Sequence, residues 1–453
     1  MTGTTPDTSL RAVFAGRRGR LLAALLLAEF AGAVQGIAYA TVLPLASRDL
    51  DGSRLYGATL SAGPLASAMV LAAGAGLTAR LRPRQTLLAA VTLYVVGVVL
   101  ATTAPAMGWL LAGGLLRGLA GGLLAAFGLS AIGGLFDDDL RPRVLALFTL
   151  AWLLPSLAGP AVNAAVAVWA GWRWAMAWPA VVVVLARLLV GRDAGLVPWA
   201  TGRRPVTLGA GLAVVAGLVL ASLATTAGHW GIPLLAGGAL LAGGAALRVF
   251  DQATGGDRHR TWTLVAFSGL TMAFFAGDSL IPLAVVEGLD RGVVAGAVAI
   301  GAGLVAWSLT GLRSWPSGRR PDPAVLGLGL LVAALVAEVL TQTGLLPGDA
   351  ALAVVVGGWA VGGLGIGLAY PRLSSSTFDA LSTDQVAPVA TALAFAETAA
   401  LVLGSLLGAG IYSLGTGAGA SDPAAVGTGF ALATLIAVAA WLATRRRSTS
   451  RAG

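Results

Sequence analysis

The chain has 453 residues, of which 57% are hydrophobic and only 11% charged, with a mean hydropathy of +0.85 and a formal net charge of +9. A water-soluble domain has no core large enough for that much apolar surface, so the composition places the chain in a membrane. Cysteine is absent, which excludes disulfides and thiolate chemistry, and the only histidines, His229 and His259, fall in predicted loops and give no basis for a metal centre.

A lipid-spanning helix needs about 20 mostly apolar residues. Such runs recur at roughly 20–46, 56–79, 86–105, 108–135, 144–169, 173–190, 207–227, 231–249, 261–286, 292–312, 324–345, 351–371, 387–415 and 425–444, about fourteen in all. The first follows Arg17, Arg18 and Arg20 and so has the flank of a secretory signal, but its apolar run continues to Ala46 and others follow, which reads as an uncleaved helix. The fourth is rich in glycine and carries Arg117 within the run.

The fifth run and its end are the most informative part of the chain. It holds Pro155, Gly159, Pro160 and Asn163 and closes on Gly171-Trp172-Arg173-Trp174 and Pro179. Two prolines weaken the backbone bonding of a lipid-length helix, which is tolerated only where neighbours pack closely. Pro155, Gly159 and Asn163 are spaced by four and share a face that is smooth, kinked and slightly polar, suited to a helix that slides or rocks against a partner. Trp152, Trp169, Trp172, Trp174 and Trp178 cluster around this run and the next, as a stacking surface for an aromatic ligand or, in better accord with their place at an interface, an aromatic belt would.

The basic surplus does not point to nucleic acid. All 29 basic residues are arginine, the usage expected of a G+C-rich bacterial genome, and 24 of them fall before the first run, in alternate gaps after it, or at the end of the chain. Arg187 is counted with the gap that holds Arg192, Arg203 and Arg204. The positive-inside rule then puts both termini in the cytoplasm and requires an even number of spans. Asp137-Asp138-Asp139, beside Arg141 and Arg143 in one such gap, reads as a solvated loop. No Gly-Lys-Ser/Thr follows the glycine pairs, so a phosphate-binding loop and ATP-driven chemistry are not indicated.

Inside the runs lie Glu29, Arg117, Asp278, Glu338 and Glu397. A charge at the bilayer centre costs at least ~2.5–3.5 kcal/mol on insertion scales, so each asks for a partner, a wet cavity or a function. Burial favours the neutral form of a carboxyl and a nearby cation the ionised form, so a group that alternates between the two environments takes up and releases a proton. Glu29 shares a helix face with Gly32 and Gly36 and is the first candidate. Asp278, near the outer end of its run, serves either as a coupling group or as an interfacially solvated acid. Glu397 lies nearer mid-depth, and Glu338 is placed to snorkel outward.

The chain also resembles itself. The first run ends Val42-Leu43-Pro44-Leu45-Ala46 and the ninth Leu280-Ile281-Pro282-Leu283-Ala284, with Arg54 and Arg291 following; the glycine-rich stretch from Gly113 to Gly122 is answered by Gly357 to Gly365. The layout is therefore six, two and six helices, the parallel repeat with which many secondary transporters place a substrate site between two bundles.

These features resemble the major facilitator superfamily, and within it the fourteen-span drug:proton antiporters, over essentially the whole chain. Pro155 to Pro160 with the Trp-Arg-Trp loop is similar to the antiporter motif, and Arg117 followed by Gly121 and Gly122 to the membrane-arginine motif. The cytoplasmic gating loop keeps Arg80, Arg82 and Arg84 but has Ala79 where the family usually has an aspartate. Gln35 stands where fourteen-span relatives often carry an acid.

The resemblance implies an all-α polytopic membrane protein of the cell membrane. Its expected parts are a tail (1–19), an amino-terminal six-helix bundle (20–190), a linker with an extra transmembrane hairpin (191–260), a second six-helix bundle (261–444) and a cytoplasmic tail (445–453). It implies a secondary transporter, working as a monomer in the lipid bilayer, that exports small amphipathic or drug-like molecules by alternating access. No cofactor is expected beyond the proton as coupling ion. Glu29, Asp278 and Glu397 are then the proton-coupling candidates; Arg117, Gln35 and Tyr39 organise the cavity, with Arg117 tuning Glu29. A metabolite or lipid-precursor transporter of the same fold is the alternative. A membrane transferase would need nucleophiles or metal ligands in its loops, and the chain offers none of promise.

Overall fold

The computed structural model describes residues 14–78, 82–135, 144, 147–148, 151–197, 208–311, 322–379 and 383–450, and all regular structure among them is helical. The amino-terminal helices are α1 (Gly16–Asp49), α2 (Tyr56–Thr78), α3 (Pro83–Thr102), α4 (Met107–Leu135) and α5 (Leu153–Ala170). Next comes α6, Trp172–Leu196, which starts with the short helix Trp172–Ala177 and continues through Pro179–Asp193. The pair α7 (Leu208–Leu223) and α8 (Gly231–Ala253) follows. The carboxy-terminal set is α9 (Arg258–Leu283), α10 (Val293–Gly311), α11 (Pro323–Thr341), α12 (Gly348–Ser376), α13 (Thr383–Gly417) and α14 (Asp422–Ser450).

Among the described residues, twelve helices are long and apolar enough to cross a membrane. These lie in α1, α3, α4 and α6 to α14. The apolar runs read from sequence each coincide with one of the fourteen labelled helices to within a few residues, except that the fifth is described as a helix only from Leu153. Arg80 of the gating loop and Asp137 to Asp139 lie outside the described residues.

Helix starts follow local chemistry. Pro83 and Pro323 occupy first-turn positions whose amides would have no partner in any case. Asp322 caps α11 by accepting from the Ala324 amide at 2.9 Å, and Asp257 caps α9 by accepting from the amides of His259 and Arg260. At the start of α3, Gln85 accepts from the Arg82 amide at 2.9 Å.

In lipid, helices associate through close packing rather than through a hydrophobic drive, and the glycines are spent on that. Gly118 of α4 lies against the Gly63 carbonyl of α2 and Gly363 of α12 against the Gly303 carbonyl of α10, so tightly that a Cβ at either would collide. One turn further, Gly122 meets Ser67 and Gly367 meets Trp307 in the same way. Likewise α3 and α4 touch at Gly97 and Gly113, and α11 and α12 at Gly327 and Gly365. The internal resemblance read from the sequence is thus a repeated set of backbone contacts.

The amino-terminal helices meet the carboxy-terminal ones chiefly as α2 on α13 and α5 on α10, with smaller contacts of α1 on α9 and α10. The α7–α8 pair packs on itself through Gly217 and Gly238 and rests against α2 and α13.

Arg187 corrects its sequence assignment. It is not a loop residue: it lies within α6, only 5% exposed, and donates to the Ala90 carbonyl of α3 at 2.8 Å.

Candidate functional site

Helix α1 presents two functional faces. On one, Glu29 accepts a hydrogen bond from Trp152 Nε1 at 2.8 Å, while Gly32 and Gly36 on the same face are exposed, with no heavy atom within 4 Å of an added Cβ. Glu29 also lies near enough for its charge to act on Glu397 of α13. That face of α1 is therefore open at Gly32 and Gly36, beside the Glu29 carboxyl.

The other face of α1 builds a cationic cluster. The Arg117 guanidinium stands 3.8 Å from the centre of the Tyr39 ring and its Nε donates to the Gly113 carbonyl at 3.2 Å. Tyr94 of α3 donates its hydroxyl to Gln35 Oε1, and the Arg187 guanidinium lies 4.5 Å from the Tyr94 ring centre. Gln35, Tyr39 and Arg117 are thus brought together, joined by Tyr94 and Arg187. A cation over an aromatic face is attracted by the ring quadrupole, which helps to keep two charges at membrane depth. The expected tuning of Glu29 by Arg117 is corrected here: the hydrogen-bond partner of Glu29 is Trp152, while Arg117 is engaged with Tyr39 and the Gly113 carbonyl.

The smooth face of α5 packs where the sequence suggested. Pro155, Gly159 and Asn163 are all buried. A Cβ at Gly159 would stand 3.3 Å from the Ile37 side chain, and Asn163 donates to the Ala38 carbonyl at 2.8 Å while accepting from Trp178 Nε1 at 3.1 Å. Pro160 lies inside the helix and leaves one backbone acceptor free. The tryptophans do not form one belt. Trp169 and Trp174 are exposed, but Trp152, Trp172 and Trp178 hold Glu29, Asp49 and Asn163.

The carboxy-terminal helices contribute an aromatic array that the sequence reading did not single out. Phe274 stacks on Trp359 at 4.9 Å and meets Trp307 edge-on at 5.1 Å; Trp307 continues to Tyr370, and Tyr370 to Phe267. Two of the predicted acids hang on this array. Trp359 Nε1 donates to Asp278 at 3.3 Å and the Tyr370 hydroxyl donates to Glu397 at 2.8 Å. Asp278 is therefore held within α9 by a ring, not solvated at an interface. Glu338 does not snorkel: its side chain is fully buried. The signal for the array was spacing, since Trp359 and Tyr370 both lie on the glycine-rich helix that repeats α4.

At one end of the molecule the two sets are joined by a bridge. Arg48, at the end of α1, donates through Nε to Glu287 Oε1 at 2.6 Å and through Nη2 to Glu287 Oε2 at 2.8 Å and to the Val286 carbonyl at 2.7 Å. Beside it Tyr56 of α2 meets Tyr412 of α13 edge-on at 6.1 Å, and the Gly57 amide donates to Ser413 Oγ. Arg48 follows Pro44 and Glu287 follows Pro282 by about one turn, so repeat-related ends carry opposite charges and pair. Arg82 and Arg84, at the start of α3, are exposed.

Residues 24–341 match the family model described as Major Facilitator Superfamily. Among curated proteins, a probable multidrug-efflux transporter of Mycobacterium tuberculosis, found in two strains, is 28% identical over 235 residues. That match takes in 52% of this chain but 45% of the relative, so it spans under half the length of the curated proteins it resembles. Among solved structures, the POT family transporter PepTSo superposes with a TM-score of 0.69 at 14% identity, over 95% of this chain and 98% of that one. A peptide transporter POT crystallised with sulfate gives 0.67 at 18% identity, over 98% and 99%. At such identities the likeness is one of fold.

Proposed function

The chain belongs to the Major Facilitator Superfamily, and we propose that it is a proton-coupled exporter of small amphipathic molecules working by alternating access. The observation that carries this reading is a carboxyl in each set of helices, Glu29 and Glu397, each held by one aromatic donor. A carboxyl in a lipid-length helix favours its neutral form when sealed and its ionised form when wetted, so alternation between the two would take up and release a proton. The adjoining rings from Phe274 to Tyr370 offer a flat, apolar contact for an amphipathic substrate. The distant efflux relatives point the same way.

On this reading α2 and α5 are also membrane spans, giving fourteen, with both termini cytoplasmic. The domains are two six-helix bundles, 20–190 and 261–444, joined by the 191–260 linker hairpin. Arg117, Gln35 and Tyr39 set the field of the cavity, Pro155, Gly159, Pro160 and Asn163 make α5 a sliding surface on α1, and Arg80, Arg82 and Arg84 form a cytoplasmic gating loop. The protein works as a monomer in the cell membrane, needs no cofactor and uses the proton as its coupling ion. The Arg48–Glu287 bridge is the latch that keeps the outer end closed.

The test is transport of an amphipathic fluorescent dye by purified protein in liposomes under an imposed pH gradient. Dye movement and luminal pH should change together, and both should stop with a proton uncoupler. Dye transport indifferent to the uncoupler, when only a proton gradient is imposed, refutes proton coupling.

A further inference from the structure

Helix α11 carries three buried polar residues at its end, Glu338, Thr341 and Gln342. Thr341 Oγ1 donates to the Glu338 carbonyl at 2.7 Å, and Gln342 Nε2 donates to Thr341 Oγ1 at 2.9 Å. Three oxygens are then left: both carboxyl oxygens of Glu338 and Oε1 of Gln342 are buried with no hydrogen-bond partner. Glu338 faces the seam with α12, where a Cβ at Gly358 would stand 2.8 Å from its Oε1.

Among the described residues no charge is bonded to it. The ionisable groups whose side chains are described on the elements packed against α11 are Asp349, Tyr370 and Arg372 of α12, Asp422 and Arg445 of α14, and Arg258, His259, Arg260 and Asp278 of α9, with Glu287 just beyond α9. None of them bonds to Glu338. Asp278 holds Trp359, Tyr370 holds Glu397, Asp349 pairs with Arg291, Arg372 with Asp322, and Asp422 with Tyr412. A bare carboxylate without water, donor or cation is the costliest group a membrane bundle can hold, whereas the neutral acid needs only one acceptor for its single proton. Gln342 Oε1, one turn along the same face, is an acceptor lacking a donor.

Gln342 also touches the latch. Its Oε1 is pressed against Gly288, where a Cβ would collide with it, and Gly288 ends the π-helical turn Ala284–Gly288 that carries Glu287. We propose that Glu338 is a second proton-binding site, outside the space between the bundles, occupied as the neutral acid with Gln342 as its acceptor, and that this proton holds the Arg48–Glu287 latch closed through Gln342 and Gly288. Loss of the proton leaves an ion that must draw in water or part the α11–α12 seam. Either response shifts Gln342, and with it the turn that presents Glu287. The site rests on the latch reading for its consequence, but not on the identity or direction of any substrate.

Two measurements on the purified full chain test it. Infrared spectra at neutral pH should contain a carboxylic-acid C=O band that loses intensity in Glu338→Gln; an unaltered band overturns the neutral acid. Ser413→Cys, 1% exposed beside the latch in a chain without other cysteine, should react with a membrane-impermeant maleimide more readily as pH rises, by more than the gain that thiolate formation gives the same cysteine in the denatured chain. Glu338→Gln should remove that excess and leave only the thiolate gain; an unchanged profile overturns the link to the latch. If Glu338→Gln does not accumulate as folded protein, Gly358→Ala presses a methyl on Oε1 and should shift the infrared band; a band left in place overturns the assignment. Neither readout involves dye transport, so failure of the exporter reading leaves it separately decidable.

Discussion

Replacing Glu287 by glutamine removes the charge of the latch while keeping its shape. The bridge comprises two charge-assisted contacts from Arg48, at 2.6 and 2.8 Å, and a third from Arg48 to the Val286 carbonyl, which glutamine leaves in place. Arg48 is about half exposed, with a side-chain accessibility of 46%, whereas Glu287 is at 14%. Exposed pairs contribute ~0.2–1 kcal/mol and hydrogen bonds to charged groups ~1.5–3 kcal/mol, so a solvent-screened two-pronged bridge falls at about 1–2 kcal/mol. If the two ends open in alternation, as proposed, that energy enters the closed-to-open ratio directly and should shift it by roughly 5- to 30-fold. Labelling of Ser413→Cys from outside should quicken accordingly in Glu287→Gln and return towards the parent rate in the charge-swapped pair Arg48→Glu with Glu287→Arg. A labelling rate that does not change in Glu287→Gln would show that the bridge does not bias the two states.

Three further outcomes are expected. Glu29→Gln should abolish transport driven by a pH gradient while sparing substrate exchange; full pH-driven transport in this variant, with loss in Asp278→Asn or Glu397→Gln, would move the coupling site to the carboxy-terminal helices. His229→Cys, in the exposed turn between α7 and α8, should label from outside in intact cells; labelling only from the cytoplasmic side would remove that hairpin from the outward count of spans. Gly118→Ala and Gly363→Ala should each lower the melting temperature, because collision with the Gly63 or Gly303 carbonyl costs about 1–3 kcal/mol and outweighs the ~1 kcal/mol that alanine gains in a helix; a variant as stable as the parent would refute the tight contact.

The place of the apolar helices was legible in the sequence because lipid imposes a length and an apolar composition on every span. The smooth α5 face and the glycine-rich stretches that repeat were legible too, since each depends on spacing along a single helix or on two stretches that resemble one another. What each buried charge touches was not. Glu29 meets Trp152 instead of Arg117, Arg187 turns inward on Tyr94, Glu338 is sealed against Gly358, and Arg48 finds Glu287 on the far side of the chain. Helices apolar on nearly every face carry no stripe that states how they are rotated. Their rotation is settled only when glycine seams lock neighbour to neighbour, and that packing, far apart in sequence, decides which polar side chain enters the space between the bundles, which joins a latch and which is left without a partner.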